Sequence, residues 1–408
     1  MKNYINKMQN ILLIFTIFTL VSCNKEISLN NQNHLVLFNL KGKVKQINYN
    51  YYLSEITDGS YKPIGKTNAG FLYEISDIDV ANINVLSNFN IFVSDLSFDS
   101  YNLFLREISF QSNYSTECDN FEVLFNDNGY VTNFKGFKNN KLNTQTIFTY
   151  TGKNLTKIKK NEGLDPDGNN YEIDINYNSL NLIKSKSLTA SGISIISNYE
   201  YSYDYNKKEY IVSEERNSID ETNNRKNKNI FSYKITLNNK MEIDEISTED
   251  PNQSLKYIDN KIQAVSEYEN SKNTLYNKVE LLYDENNIIE YKHTKNNKLT
   301  EYFFNYDNTG NLVKLTKQTT NDLLNNLDFL YLLDDNKNWI HLSYKKNREA
   351  YDALLKKIAE RKNFGNTYYE TYGIWPYSLN DDAKIETNRL IYAKFSSKID
   401  VDRRIIYF

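Results

Sequence analysis

Along most of the chain, short runs of alternating apolar and polar residues end in clusters of Asp, Asn, Gly or Lys. Glu301–Gln318 shows one unit in full. Tyr302, Phe304 and Tyr306 alternate along one run, Asp-Asn-Thr-Gly-Asn follows, and Leu312-Val313-Lys314 begins the next run. Alternation with a period of two marks a half-buried strand. Turn signals every 8–12 residues between such runs mark an antiparallel meander. The residue that follows the turn recurs as Tyr130, Leu155, Leu182, Tyr210, Met241, Ile262, Ile288, Leu312 and Trp339, in steps of 21 to 31 residues. A period of that size is the signature of repeat architecture, one supersecondary unit per copy.

Each unit holds two strand-like runs and two turns. The first turn has the form Asp-x-x-Gly-Asn, where Gly310 can take the left-handed conformation that closes a short hairpin loop. The second often reads Asn-Asn-Lys, as at 139–141, 238–240 and 296–298; asparagine tolerates positive φ better than most residues. The expected fold is therefore mainly β: an extended antiparallel meander of repeated hairpins forming a large twisted or curved sheet. Tyrosine suits such a sheet, packing its ring beside cross-strand neighbours while its hydroxyl reaches water.

A meander has two edges that must be covered. Residues 36–120 contain strand-like runs that can join the sheet or cap it. At the other end, Arg348–Lys362 repeats Ala350, Tyr351, Leu354, Leu355 and Ile358 at helical spacing, with Asn347 as N-cap and Gly365 as a stop. This predicts one C-terminal helix, packed on the sheet with its lysines in solvent. Later runs, RLIYAKF and RRIIYF, read as closing strands.

The repeated phrase resembles the YD repeat of Rhs-type proteins, in the form found in lipid-anchored bacterial proteins. Tyr306-Asp307 with Gly310-Asn311-Leu312 matches its pattern, as do Tyr283-Asp284 with Asn287-Ile288 and, without the glycine, Leu333-Asp334 with Asn338-Trp339. The resemblance covers about residues 124–344 and implies a strand–turn–strand plan. Large members roll many repeats into a shell around a toxin. The few units here point away from that use.

The first residues are read apart from the fold. Lys2 and Lys7 precede the apolar run Ile11–Val21, which is shorter than the ~20 residues a membrane span needs and reads as a secretory signal. Leu20-Val21-Ser22-Cys23 resembles the lipobox of bacterial lipoproteins. That resemblance implies cleavage before Cys23, diacylation of its thiol and usually acylation of the new N-terminus. Two or more chains anchor a protein stably where one does not. The expected division is a signal segment 1–22, a lipidated tether 23–35, an N-terminal β segment or cap 36–120, hairpin repeats 121–346, and a closing helix and strands 347–408.

Composition narrows the function classes. Among 408 residues, 49 are basic and 52 acidic, so no nucleic-acid footprint is present. The 34 tyrosines and 21 phenylalanines, with few alanines, favour strand over helix. Cys118 has no second thiol to pair with once Cys23 carries lipid, and is expected to be buried and inert. His34, His293 and His341 lie at no metal-ligand spacing. Residues 163–174, GLDPDGNNYEID, place Gly163 and Asp174 at the ends of an EF-hand alignment, which does not fit, so a surface turn is expected. Asp334-Asp335 and Asp381-Asp382 read as solvated pairs beside turns. No catalytic residue, metal or cofactor is expected. Trp375 and Tyr377, with Trp339, are candidate binding aromatics.

The resulting expectation is a lipid-anchored protein of the bacterial cell envelope, at the outer membrane, acting as a binding or scaffold module through its repeated sheet. Its partners are the membrane through the lipid and, among candidates, envelope proteins or glycans. Two alternatives stay open. One is a glycan-processing enzyme with scattered carboxylates about 5–9.5 Å apart; the other is a carrier for lipid or another apolar ligand, with an apolar trough.

Overall fold

The computed structural model describes residues 33–57, 60–66, 98–104, 107, 118 and, with short gaps, 120–346, together with 398–408. The expected helix 348–362, the run RLIYAKF and the turn 163–169 lie outside the described residues.

The strands are β1 (Val44–Thr57), β2 (Ser60–Lys66), β3 (Asn120–Phe125), β4 (Val131–Lys138), β5 (Lys141–Thr151), β6 (Asn154–Glu162) and β7 (Tyr171–Tyr177). Next come β8 (Ile183–Ala190), β9 (Ile193–Asp204), β10 (Glu209–Asp220), β11 (Arg225–Leu237), β12 (Ile243–Thr248), β13 (Gln253–Ile258) and β14 (Lys261–Glu269). The series ends with β15 (Thr274–Asp284), β16 (Asn287–Lys295), β17 (Lys298–Tyr306), β18 (Leu312–Thr319), β19 (Asp322–Leu333), β20 (Trp339–Lys346) and β21 (Lys398–Tyr407). All 21 belong to one sheet. From β3 to β21 each strand pairs antiparallel with the next, and β1 lies between β3 and β21, so the chain of pairings returns to its start. β2 is an extra strand on the far half of β1. The meander is thus a barrel-like ring, and the edges expected of an open sheet are paired with each other through β1.

One rim is built by a repeated turn. Asn126, Asn178, Asn238 and Asp334 each accept the N–H groups of the second and fourth residues that follow, at 2.8–3.1 Å. Asp307 accepts the fourth, Asn311 N–H, at 2.9 Å. The third residue after each of these five is left-handed: Gly129, Asn181, Met241, Gly310 and Lys337, with φ from 59° to 86°. Side-chain capture of the backbone specifies this loop better than glycine does. That is why Leu333-Asp334…Asn338-Trp339 works with a lysine at the left-handed site.

Strands resume at Val131, Ile183 and Ile243, one residue beyond the buried Tyr130 and Leu182 and two beyond Met241, which is itself the left-handed residue. Asp334 is engaged rather than merely solvated: it caps its turn and accepts the Tyr407 hydroxyl.

A register shift sits immediately before the turn in eight hairpins of this rim, for example at Asn176/Tyr177, Leu282/Tyr283 and Asn305/Tyr306. Such bulges increase local twist and bend the strand, and they recur at barrel rims. Tyrosines near these strand ends, three of them at bulges (Tyr177, Tyr283 and Tyr306), reach across the sheet. Tyr177 donates to Leu155 O, Tyr201 to Ile183 O, Tyr283 to Ile262 O, Tyr306 to Ile288 O and Tyr331 to Leu312 O, at 2.6–3.0 Å. The expectation that tyrosine hydroxyls face water is overturned for these five: the rings point inward and each phenol satisfies a backbone carbonyl of the preceding unit.

The ring encloses its own chain. Residues His34–Phe38 form a 3-10 turn. Its backbone meets the turn rim through His34 N–H to Gly129 O at 3.0 Å, and the chain just beyond it through Asn39 Nδ2 to Gly310 O at 3.0 Å and Lys41 N–H to Asn338 Oδ1 at 2.7 Å. A short helical stretch at 100–104, which the sequence pattern did not indicate, lies inside. Phe98 meets Tyr199 and Tyr233 edge-on, and Phe104 meets Phe148. Leu103 and Phe104 are fully buried, with Val44, Ile47, Leu155, Ile158 and Ile183. Among the described residues, the sheet thus encloses the turn at His34–Phe38 and the stretch at 98–104.

The turn chemistry fixes an expected outcome. Replacing Lys337 by glycine removes the penalty of a left-handed side chain and should stabilise the protein by about 1 kcal/mol. Gly310→Ala should destabilise it by about as much. Denaturant unfolding of the two variants measures both, and changes of the same sign would refute the assignment.

Candidate functional site

The two faces of the ring differ sharply. Outward positions carry cross-strand ion pairs: Lys135–Glu122 at 2.6 Å, Lys157–Glu172 at 2.5 Å, Lys228–Glu215 at 2.7 Å and Lys292–Glu301 at 3.6 Å. Glu280, Lys292 and Glu301 are successive partners across three strands. Exposed apolar residues such as Ile230, Leu330 and Leu332 are scattered among them. A transmembrane barrel carries an apolar band outside and polar groups inside. Here the charged face is outside and the aromatic, aliphatic face is inside.

Within the interior, one cluster of charged and hydroxyl-bearing side chains lies near mid-height on β8–β11. Glu214 is fully buried. Arg216 grips it with Nε to Oε1 at 2.9 Å and Nη2 to Oε2 at 3.1 Å, and the Tyr233 hydroxyl donates to Oε2 at 2.6 Å. Glu214 faces Tyr199 on β9 and Phe231 on β11; Arg216 faces Ser197, which faces Lys186 on β8. The Arg216 guanidinium lies over the Phe231 ring at 4.5 Å, and Lys186 Nζ over Tyr199 at 5.3 Å. Burial pushes the Glu214 carboxyl up, but hydrogen bonds from Arg216, Tyr233 and Ser197 together outweigh it and hold the carboxyl below its ordinary value. The Tyr199 phenol is driven well up by burial and then by the Glu214 charge, and among the described residues its hydroxyl has no hydrogen-bond partner. Farther round the ring, His293 Nε2 lies 2.8 Å from Asn277 Oδ1.

This arrangement offers fixed charge and hydrogen-bonding capacity. It does not offer a proton shuttle, because Glu214 stays ionised at neutral pH and its oxygens are already engaged. The sequence reading missed the group. The signal was present as Val212, Glu214 and Arg216, which share one face at period two, but a charged pair at inward positions looks like a solvated face until the ring closes.

The candidate residues named from sequence fall elsewhere. Trp339 is 2 % exposed, with the buried Arg403 guanidinium 3.8 Å from its ring and Tyr49 and Tyr331 beside it. Its ring thus faces the core and presents no binding surface. Cys23, Trp375, Tyr377 and Asp381-Asp382 lie outside the described residues. Cys118 is buried, with its Sγ 3.6 Å from Asn143 Nδ2. Each histidine is hydrogen-bonded: His341 Nδ1 to Asp402 at 2.7 Å, His293 to Asn277, and His34 through Nδ1, which accepts the Val131 N–H at 3.0 Å. Among the described residues, no group of three or more His, Cys, Asp or Glu is placed to hold a metal.

No family model and no curated protein matches the chain. Among solved structures, a porin-like protein from Bacteroides uniformis aligns with a TM-score of 0.26 and 10 % identity, over 70 % of this chain and 90 % of that one. Likeness at that level carries no conclusion about function.

Two outcomes follow from these groups. Arg216→Ala leaves Glu214 buried and unpaired and should cost about 3–5 kcal/mol, whereas Arg216→Ala combined with Glu214→Leu should recover much of that loss. A double variant no more stable than the single one would refute the pairing. His34 supplies a pH test. Burial holds its pKa down to about 3, so the unfolded chain takes up a proton that the folded chain refuses. Its contribution is complete above about pH 6.5 and falls toward pH 3, by at most about 1.4 kcal/mol per unit. His293, also lowered by burial, adds the same sign. His34→Gln should flatten the acid slope of stability between pH 6 and 4; an unchanged slope would exclude His34 as its source.

Proposed function

We propose that this chain is a lipid-anchored protein of the bacterial cell envelope that acts as a binding or scaffold module. Lipid on Cys23 holds it, and the repeated sheet presents the polar surface that partners meet. The supporting observation is the orientation of the faces. Lysines and carboxylates ring the outside, where a midplane lysine in a bilayer would cost about 2–4 kcal/mol. A barrel patterned this way stays in water, so membrane attachment falls to the N-terminal cysteine.

Neither alternative gains from the geometry. An apolar carrier needs an empty trough, and the apolar interior is packed with Phe98, Leu103 and Phe104. The one carboxylate in the interior cluster of β8–β11 is held ionised by Arg216, which suits recognition better than glycoside hydrolysis.

Fractionation tests the reading. The parent should sediment with membranes and require detergent for release, whereas Cys23→Ser should move to the soluble fraction as a folded β protein. Equal membrane retention of the two would overturn the lipid anchor. Turnover of a glycan-hydrolase substrate panel by the purified chain would overturn the binding reading.

A further inference from the structure

The wall of the ring is uneven on the side away from the capped turns. β10 and β11 pair from Glu209↔Thr236 to Asp220↔Arg225, the full length of β10. On its other side β11 is joined by β12 only over Tyr233–Leu237, and the β12–β13 ladder stops at Thr248↔Gln253. Arg225 to Ser232 of β11 therefore stand beyond that hairpin. Among the described residues, no strand pairs with them on that side. The register shows which groups this edge presents. Leu237 N–H donates to Lys208 O at 3.0 Å, so these two form a hydrogen-bonded pair. Such pairs alternate along an antiparallel ladder. Arg225, Asn227, Asn229 and Phe231 thus turn their backbone groups toward β10, whereas Lys226, Lys228, Ile230 and Ser232 turn theirs to the open side. Phe231 lies inside the ring with Arg216, so the side chains of Lys226, Lys228 and Ile230 are on the outer face. All three are exposed, Ile230 at 70 %.

Resting on the binding role proposed above, though not on the lipid, we propose that the free edge of β11 takes up an extended segment of a partner protein as an added antiparallel strand. The segment carries acidic residues opposite Lys226 and Lys228 and an apolar residue opposite Ile230. Strand addition draws its affinity from backbone hydrogen bonds and its selectivity from alternate side chains. Here the backbone donors and acceptors at Lys226, Lys228 and Ile230 supply the first, and their side chains supply the second.

The lysines choose the guest. An open edge invites indiscriminate pairing, and lysine on the edge blunts it. Like charges directly opposite each other destabilise a ladder and opposite charges support it. Lys226 and Lys228 therefore discourage another basic strand, this chain's own β11 included, and admit a strand with carboxylates at the matching positions. Lys228 already meets Glu215 at 2.7 Å, but that pair is about half exposed on both sides, and an ammonium has three donors to share. Ile230 adds an apolar contact that no described strand covers. On the inner face the guest would set small polar side chains beside the exposed Asn227 and Asn229.

Labelled octapeptides test this by fluorescence anisotropy on the full chain. Ser-Thr-Val-Thr-Glu-Thr-Glu-Ser places valine opposite Ile230 and its glutamates opposite Lys228 and Lys226. Ser-Thr-Val-Thr-Lys-Thr-Lys-Ser is its counterpart. The glutamate peptide should bind at least about tenfold more tightly. N-methylation of its valine and two glutamates removes the donors that face β11 and should abolish binding, whereas N-methylation of the three threonines should change it less than about threefold. Ile230→Pro removes a donor on the open side without touching the β10 ladder, as an edge tolerates, and should weaken binding at least about tenfold with the circular dichroism unchanged. Lys226→Glu with Lys228→Glu should reverse the peptide preference. Absence of saturable binding, equal binding of the two peptides, or binding that survives methylation at valine and glutamate would overturn the proposal; the methylated peptides decide it even where a protein variant fails to fold. Such a failure removes the β11 edge alone. Turnover of the glycan-hydrolase panel would remove the binding reading whatever the peptides do.

Discussion

The barrel depends on what happens in the few residues around each capped turn. An Asn or Asp side chain takes two backbone N–H groups, the third residue after it goes left-handed, and the strand just before it bulges. Before the turns at Asn178 and Asp307 the bulged end carries a tyrosine whose phenol lands on the carbonyl at the start of the preceding strand, whereas before Asn126 and Asn238 it carries the buried Phe125 and Leu237. Each part satisfies a need created by another. Local hydrogen bonding in the turn forces the twist, the twist frees a carbonyl from the ladder, and the phenol pairs it inside the core, where an unpaired carbonyl would be costly. Repeated round one rim, this geometry curls a sheet that would otherwise lie open.

The alternation of Tyr302, Phe304 and Tyr306 announced strands, and Asp307 with Gly310 announced their turn, because both signals are local. The recurrence along the chain announced a meander. What local signals cannot carry is the pairing of Ile47 on β1 with Val123 on β3 and Ile405 on β21, contacts that join distant parts of the sequence. Closure was therefore not legible, and with it went the inward direction of the tyrosines and the burial of Trp339. Gly310 was readable as a left-handed position, whereas Lys337 was not, since only the capping by Asp334 makes a lysine acceptable there. The candidate site had the same weakness. Glu214 and Arg216 read as surface charges until the ring placed them on its inner wall.

The division of faces follows from closure as well. An open sheet can hide one face against a helix and wet the other. A closed ring has only an inside to hide, so the apolar half of every strand must be filled by something. The chain fills it with Phe98, Leu103 and Phe104 and with the turn at His34–Phe38, leaving the outside to lysine–carboxylate pairs that keep the surface soluble. The polar groups inside are held by partners: Glu214 by Arg216 and Tyr233, Glu107 by the Tyr171 hydroxyl, and Arg403 by the carbonyls of Trp339 and Phe38.

The position of β1 has a consequence for biogenesis. It is the first strand made, yet it needs β21, the last in chain order, to complete its ladder. During synthesis the nascent meander must wait as an unzipped ribbon, with two unpaired flanks, until Lys398–Tyr407 emerges to latch it. A chain stalled just short of that latch would present both flanks at once, so the completeness of the fold hangs on a single late event.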